Sequence, residues 1–171
     1  MLHFFRKKPK DSKLHIRRTK FDKLEDSDKC QKIHEYLINT FWNKSKNRLD
    51  FSQMNDSQKI LSSIFIIVGD VGNGGFVQLF QNTQDEYFKD GIIAFKTIND
   101  TKTAKIFEEA IKIYHENIDF LSGRNLNAPF SEKEDAKLAQ LDKKFYKFDD
   151  KRYTSLFKFV NSHVEDFVIF N

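Results

Sequence analysis

IIVGDVGNGGFVQLFQNT, residues 66–83, carries Gly69, Gly72, Gly74 and Gly75, four of the chain's six glycines. Glycine is costly inside a helix or strand, so this cluster predicts a backbone that needs positive φ or a very close approach by a neighbour. A sharp turn is expected here. Beyond it Asn73 is placed to cap a short helix, its side-chain oxygen accepting from the amide of Gly75 or Phe76. Phe76, Leu79 and Phe80 then recur at helical spacing. A second stripe, Val71, Gly75, Gln78 and Asn82, sets two carboxamides one turn apart beside a residue without a side chain. The segment has neither the Lys-Ser/Thr of a phosphate loop nor a GxGxxG following a strand, so it reads as a packing device and not a nucleotide cradle. Gly74 and Gly75 are expected to let the short helix lie against the buried second or fifth helix, with Gln78 and Asn82 satisfying backbone groups at the crossing.

Working outward, the flanking segments are helical. Ser27 or Asp28 can cap a first helix to about Asn43, with Ile33, Tyr36, Leu37, Thr40 and Phe41 on one face. Asn55 and Gln58 form a capping box ahead of Ile60, Leu61, Ile64, Phe65, Ile67 and Val68, which predicts a central buried helix. After the glycines, Phe88, Ile92, Phe95 and Ile98 mark a fourth helix. Asp100 or Thr101 caps the longest one, whose stripe runs from Ala104 to Leu121 and which Gly123 stops. Ser131 and Glu134 make a second capping box, before Leu138, Leu141 and Phe145. Asp149 or Asp150 opens the last helix, with Tyr153, Leu156, Phe157, Val160, Val164 and Phe167 on its face. No alternating strand pattern and no repeat occurs. The expectation is an all-α fold, a single compact domain of about seven helices over residues 27–171, preceded by a basic N-terminal arm, residues 1–26.

Nineteen phenylalanines among 171 residues supply ample apolar material for one core. The longest unbroken apolar run is only Ile64–Val68, from which no transmembrane helix is expected. The first residues lack the apolar segment of a secretory signal, and the single Cys30 can form no internal disulfide, so a cytoplasmic location is expected. The net charge of +4 divides unevenly. Residues 1–24 hold nine Lys/Arg against two Asp/Glu, or +7, and the remainder holds 20 against 23, or −3. Arg6, Lys7, Lys8, Arg17 and Arg18 in the arm are candidates for contact with nucleic acid or an anionic membrane surface, the alternative being a solvated tail.

Catalytic constellations are not found. His115 and Asp119 lie one turn apart in HENID, a ligand spacing that lacks the second histidine of a zinc-protease helix. His34 and His163 flank apolar faces, where a satisfied polar residue is the ordinary role, and Cys30 reads as a buried thiol. No enzyme, cofactor or metal is expected.

The run Asn73-Gly74-Gly75-Phe76 with Gln78 and Asn82, the stretch AKIFEEAIKIY at 104–114 and LDKKFYKFDD at 141–150 together resemble the bacterial DNA-mimic protein family. The resemblance covers roughly residues 27–170. It implies an all-helical domain, commonly a homodimer and without catalysis, whose type member presents acidic side chains as a decoy for DNA and so occupies a DNA-binding protein. On that basis the chain is expected to be a protein-binding regulator or inhibitor. An immunity-type protein that neutralises a toxin, and a nucleic-acid or membrane-surface binder acting through the arm, are the alternatives. Asp149 and Asp150, with Glu165 and Asp166, are the candidate acidic interface. Elsewhere acid is interleaved with base: Glu108 and Glu109 lie between Lys105 and Lys112, and Glu132, Glu134 and Asp135 surround Lys133.

Overall fold

A computed structural model describes residues 12–45, 47–83, 86–117 and 130–171. These are mostly helical, in agreement with the all-α expectation, and carry four strands of two or three residues that no alternating pattern announced. In chain order the elements are β1 (Leu14–Ile16), α1 (Arg18–Phe21), α2 (Asp26–Phe41), β2 (Trp42–Asn43), β3 (Arg48–Leu49) and a 3-10 turn at Phe51–Gln53. They are followed by α3 (Asp56–Asn82), α4 (Glu86–Thr97), α5 (Thr101–Glu116), α6 (Glu132–Tyr146), α7 (Asp149–Ser162), α8 (Val164–Phe167) and β4 (Val168–Phe170). α5, expected to be the longest helix, is described over 16 residues against the 27 of α3, and its expected end at Leu121–Gly123 falls outside the described residues.

The capping boxes form as the sequence requires. Asn55 Oδ1 accepts from the Gln58 amide at 2.9 Å, and Gln58 Oε1 accepts from the Asn55 amide at 3.1 Å. Ser131 and Glu134 reciprocate in the same way at the start of α6. Asp100 caps α5 through the Thr103 amide. Each box satisfies amides that a helix start otherwise leaves free. α2, expected as the first helix, begins at Asp26, a little ahead of Ser27 or Asp28, and no side chain caps it. Likewise α7 takes Phe148 as its cap residue, because the Asp149 carboxylate is engaged elsewhere.

α3 is the central element and lies against α4 and α6. It is long and apolar enough to cross a membrane by length and composition, which the longest apolar run did not reveal. Within the fold it is a core helix: Leu61, Ile64, Ile67, Val71, Phe76 and Leu79 are all buried. α4 packs closely onto it at Gly91, where an added Cβ would lie 2.2 Å from Ile67 Cδ1 and 2.7 Å from Phe107 Cε1. Phenylalanines fill the middle, with Phe76 stacked on Phe107 and edge-on to Phe145.

The part of the basic arm that is described joins the body. β1 pairs in parallel with β4, Leu14 opposite Val168 and Ile16 opposite Phe170. Phe21, in α1, is buried and meets Phe170 edge to face at 5.6 Å. Residues 14–21, expected in the arm, are therefore in contact with the chain's last strand. The last helix also departs from expectation: it stops at Ser162, and His163 begins the short α8 that leads into β4. Its buried side is set by Arg152, Leu156, Phe159 and Val160, leaving Tyr153 37% exposed.

Candidate functional site

The glycine segment does turn the chain sharply, two residues later than the capping argument placed it. α3 continues through Gly69, Gly72 and Asn73 and breaks at Gly74–Gly75, so Asn73 is not the cap. Gly75 alone among the four has positive φ, at 72° with ψ −172°, a combination essentially confined to glycine. In an unbroken helix the Val71 carbonyl would accept from the Gly75 amide, and the Gly72 carbonyl from the Phe76 amide. The break frees these groups, and α6 meets two of them. Tyr146 donates its hydroxyl to the Val71 carbonyl at 2.5 Å, and the Phe76 amide donates to Asp142 Oδ1 at 2.9 Å. Asp142 and Tyr146 stand one turn apart on α6, with Phe145 between them packed on Phe76. The close approach that demands a glycine comes from this carboxylate: a Cβ on Gly75 would lie 2.4 Å from Asp142 Oδ2.

Burial raises the Asp142 carboxyl above the usual carboxylate range, and the bond from the Phe76 amide pulls the other way. The Tyr146 hydroxyl is raised too, first by burial and then by the nearby Asp142 and Asp149. The two arms of α3 are also stitched directly. Asn82 donates to Asp70 Oδ1 at 2.9 Å and Thr83 to Asp70 Oδ2 at 3.2 Å, a contact across twelve residues that only a bent helix permits. Asn82 thus holds a side chain and not the backbone groups expected of it, while Gln78 folds over Gly74. Asn73 is exposed and Phe76 fully buried.

The four candidate acidic residues fall into two separate places. Asp149 and Asp150 open α7, whereas Glu165 and Asp166 open α8 beyond its far end, a separation of about 20 Å at the helical rise of 1.5 Å per residue. Each set sits in a first helical turn, where the dipole favours carboxylates. Asp149 binds the buried Arg152 guanidinium, and Asp166 accepts from Ser57 at 2.6 Å while its carbonyl accepts from Asn55. Asp150 and Glu165 remain exposed. Other carboxylates are similarly engaged: Asp26 with Asn161 and Lys29, Glu108 with Lys96, and Glu116 with Lys112.

Of the basic candidates, Arg6, Lys7 and Lys8 lie outside the described residues. Arg17, just ahead of α1, and Arg18, its first residue, are exposed, Arg18 standing 3.9 Å over the Phe170 ring. Cys30 is buried, and burial pushes its thiol up to about 12, which suits an inert core residue. His115 is exposed and Asp119 lies outside the described residues. His163 stacks on Phe159 at 4.4 Å, its Nδ1 2.9 Å from the Phe159 carbonyl.

His34 stacks on Phe65 at 4.4 Å, and burial lowers its imidazole to about 4. Because the folded value lies below the unfolded one, the unfolded chain takes up the proton first as pH falls. The stability that neutral His34 contributes is present above about 6.5 and drains away towards pH 4, by at most about 3 kcal/mol. Urea midpoints at pH 7 and pH 4.5 are expected to differ less in His34→Phe than in the parent chain. Equal differences would contradict the neutral, buried state.

A family model described as DMP19-like protein matches residues 52–163. The chain belongs to the DMP19-like family. No curated protein matches it at a significant level. The stretch that carries the DMP19-like match contains the whole of the break, the Asp70 contact and both clamping side chains of α6. The segments Asn73–Phe76 and Leu141–Tyr146 are therefore two halves of one device, since the second supplies the partners that the first leaves free. Asp142, Tyr146 and Arg152 were missed in the sequence. For the first two the signal was their i, i+4 spacing inside LDKKFY, and for Arg152 it was its position one turn before Leu156.

Proposed function

We propose that this DMP19-like chain is a non-catalytic regulator or inhibitor that binds a DNA-binding protein in the cytoplasm. The match over residues 52–163 carries the reading, because it spans the bent helix and the elements that clamp it. Duplex DNA presents one charge per ~1.7 Å of axis, so a decoy that copied it fully would need a dense sheet of free carboxylates. Here several carboxylates hold the fold together, and exposed ones such as Glu109, Glu132 and Asp150 are interleaved with lysines. Recognition accordingly rests on a few fixed acidic positions, such as Asp150 and Glu165, that meet individual lysines or arginines of the partner.

The reading is tested by competition on DNA. Lysate of the native cell is bound to immobilised duplex at constant salt, and the purified chain is added. Release of a discrete protein that then fails to shift DNA while the chain is present is the expected result. No release beyond that given by the heat-denatured chain would refute it.

The exposed Arg17 and Arg18 favour one second reading, in which the chain itself contacts nucleic acid through its basic start. Deleting residues 1–24 would remove β1 and the buried Phe21 along with the charges. The suitable variant replaces Arg6, Lys7, Lys8, Arg17 and Arg18 by glutamine. Salt-dependent DNA binding that disappears with those charges would favour this second role.

A further inference from the structure

The β2–β3 hairpin and the first turns of α4 enclose a cleft of about 320 Å³, lined by Arg48, Asp50, Phe51, Ser52, Tyr87 and Asp90 beside the Leu49 backbone. Tyr87 fixes its position by donating its hydroxyl to the Leu49 carbonyl, and its ring meets Phe51 edge to face at 4.8 Å. Asp50 is held in place by Ser52, whose amide and hydroxyl both donate to Oδ1. The cleft thus combines two aromatic rings, two carboxylates and one guanidinium. Its formal charge is −1, and it is at the small end of ligand cavities, suited to one side chain more than to a whole cofactor. Aromatic faces attract cations, and carboxylates beside them add charge-assisted hydrogen bonds. Trp42, outside the lining but paired across the hairpin with Leu49 and 46% exposed, is the kind of aromatic residue that anchors protein interfaces.

We propose that this cleft receives a single basic side chain, an arginine or lysine, of a protein partner. The inference rests on the protein-binding reading above and gives it a specific contact. A DNA-binding protein offers such side chains where it grips phosphate, and an incoming monocation would neutralise the cleft. Asp90 is the carboxylate available for this, Asp50 being fixed by Ser52. Arg48 opposes the incoming charge and sets the strength of binding.

Trp42, the chain's one tryptophan, provides the readout. The full-length chain is titrated with acetyl-Gly-Arg-Gly-amide and with the citrulline peptide of the same shape, following Trp42 fluorescence and, independently, amide shifts of Tyr87 and Asp90. Saturable binding of the arginine peptide is expected, about tenfold tighter than that of the citrulline peptide. Asp90→Asn should abolish most of the difference, and Arg48→Gln should tighten the arginine peptide, with melting temperatures close to that of the parent chain. Equal binding of the two peptides, no saturable binding, or indifference to Asp90→Asn overturns the proposal. Those results leave the DNA-competition experiment untouched, so failure of the cleft and failure of the protein-binding reading are separable.

Discussion

Gly75→Leu is expected to lower folding stability by about 4 kcal/mol, enough to remove much of the margin of an ordinary domain. Two costs combine. The backbone at φ 72° and ψ −172° is open to glycine almost alone. In addition, a Cβ would press into Asp142 Oδ2, pushing away the carboxylate that caps Phe76 and leaving that amide without its partner. The neighbouring Gly74 supplies the control. Its φ of −160° is available to any residue, and an added Cβ would meet the Gln78 carboxamide, which can swing away, and the Gln78 Cβ at 2.9 Å, which moves only with its backbone, so Gly74→Ala should cost about 2 kcal/mol, less than Gly75→Leu. Urea unfolding of the two variants decides the point. Equal midpoints would show that the break tolerates a side chain and that the clamp on it is dispensable. Asp142→Ala combined with Gly75→Leu should cost less than the two separate losses added, because the group that clashes has gone.

What the sequence could reveal about this region has a physical limit. Glycine density announces an irregular backbone, and the turn between Asp70 and Thr83 was legible on that ground. Which of four glycines takes the left-handed conformation was not, since that depends on where α6 brings a carboxylate. The local rule pointed to Asn73 as the cap, yet the cap came from Asp142, sixty-six residues away. Local capping boxes, by contrast, were readable because donor and acceptor lie three residues apart, as at Asn55 and Ser131. The same distinction explains the arm. Leu14, Ile16 and Phe21 are too few to show a period, and only contact with the chain's last strand covers them.

The electrostatic reading follows a similar logic. Formal charge counts treat every carboxylate as available to a partner, and the fold takes several out of that pool. Asp70, Asp142 and Asp166 hold backbone or side-chain donors, and Asp100 is 1% exposed. Exposed carboxylates such as Glu109, Glu132 and Asp150 are interleaved with lysines, and salt screens the field of each over about 8 Å.

Arg152→Met should be nearly as damaging as Gly75→Leu, about 3 to 5 kcal/mol, because it strands a buried charge. Arg152 is fully buried although it lies in the first turn of α7. One Nη donates to Asp149, the other donates to the Phe145 carbonyl at 2.8 Å and to Thr103 at 3.3 Å, and Nε lies 3.5 Å from Asp100 Oδ2. The guanidinium also covers the Phe145 ring at 3.9 Å. One side chain therefore joins the start of α5, the end of α6 and the start of α7, next to the residue that lies between the two clamping side chains. Methionine fills much of the space but leaves Asp100 buried without its cation, whereas the partly exposed Asp149 can turn to water. Asp100→Asn removes that charge and keeps an N-cap for α5. The double variant Arg152→Met/Asp100→Asn should accordingly recover more than half of the loss. If the double variant is no more stable than Arg152→Met, the loss comes from packing around Phe145 and not from the stranded carboxylate. α6 would then be held against the broken helix by shape, with the buried charges contributing little.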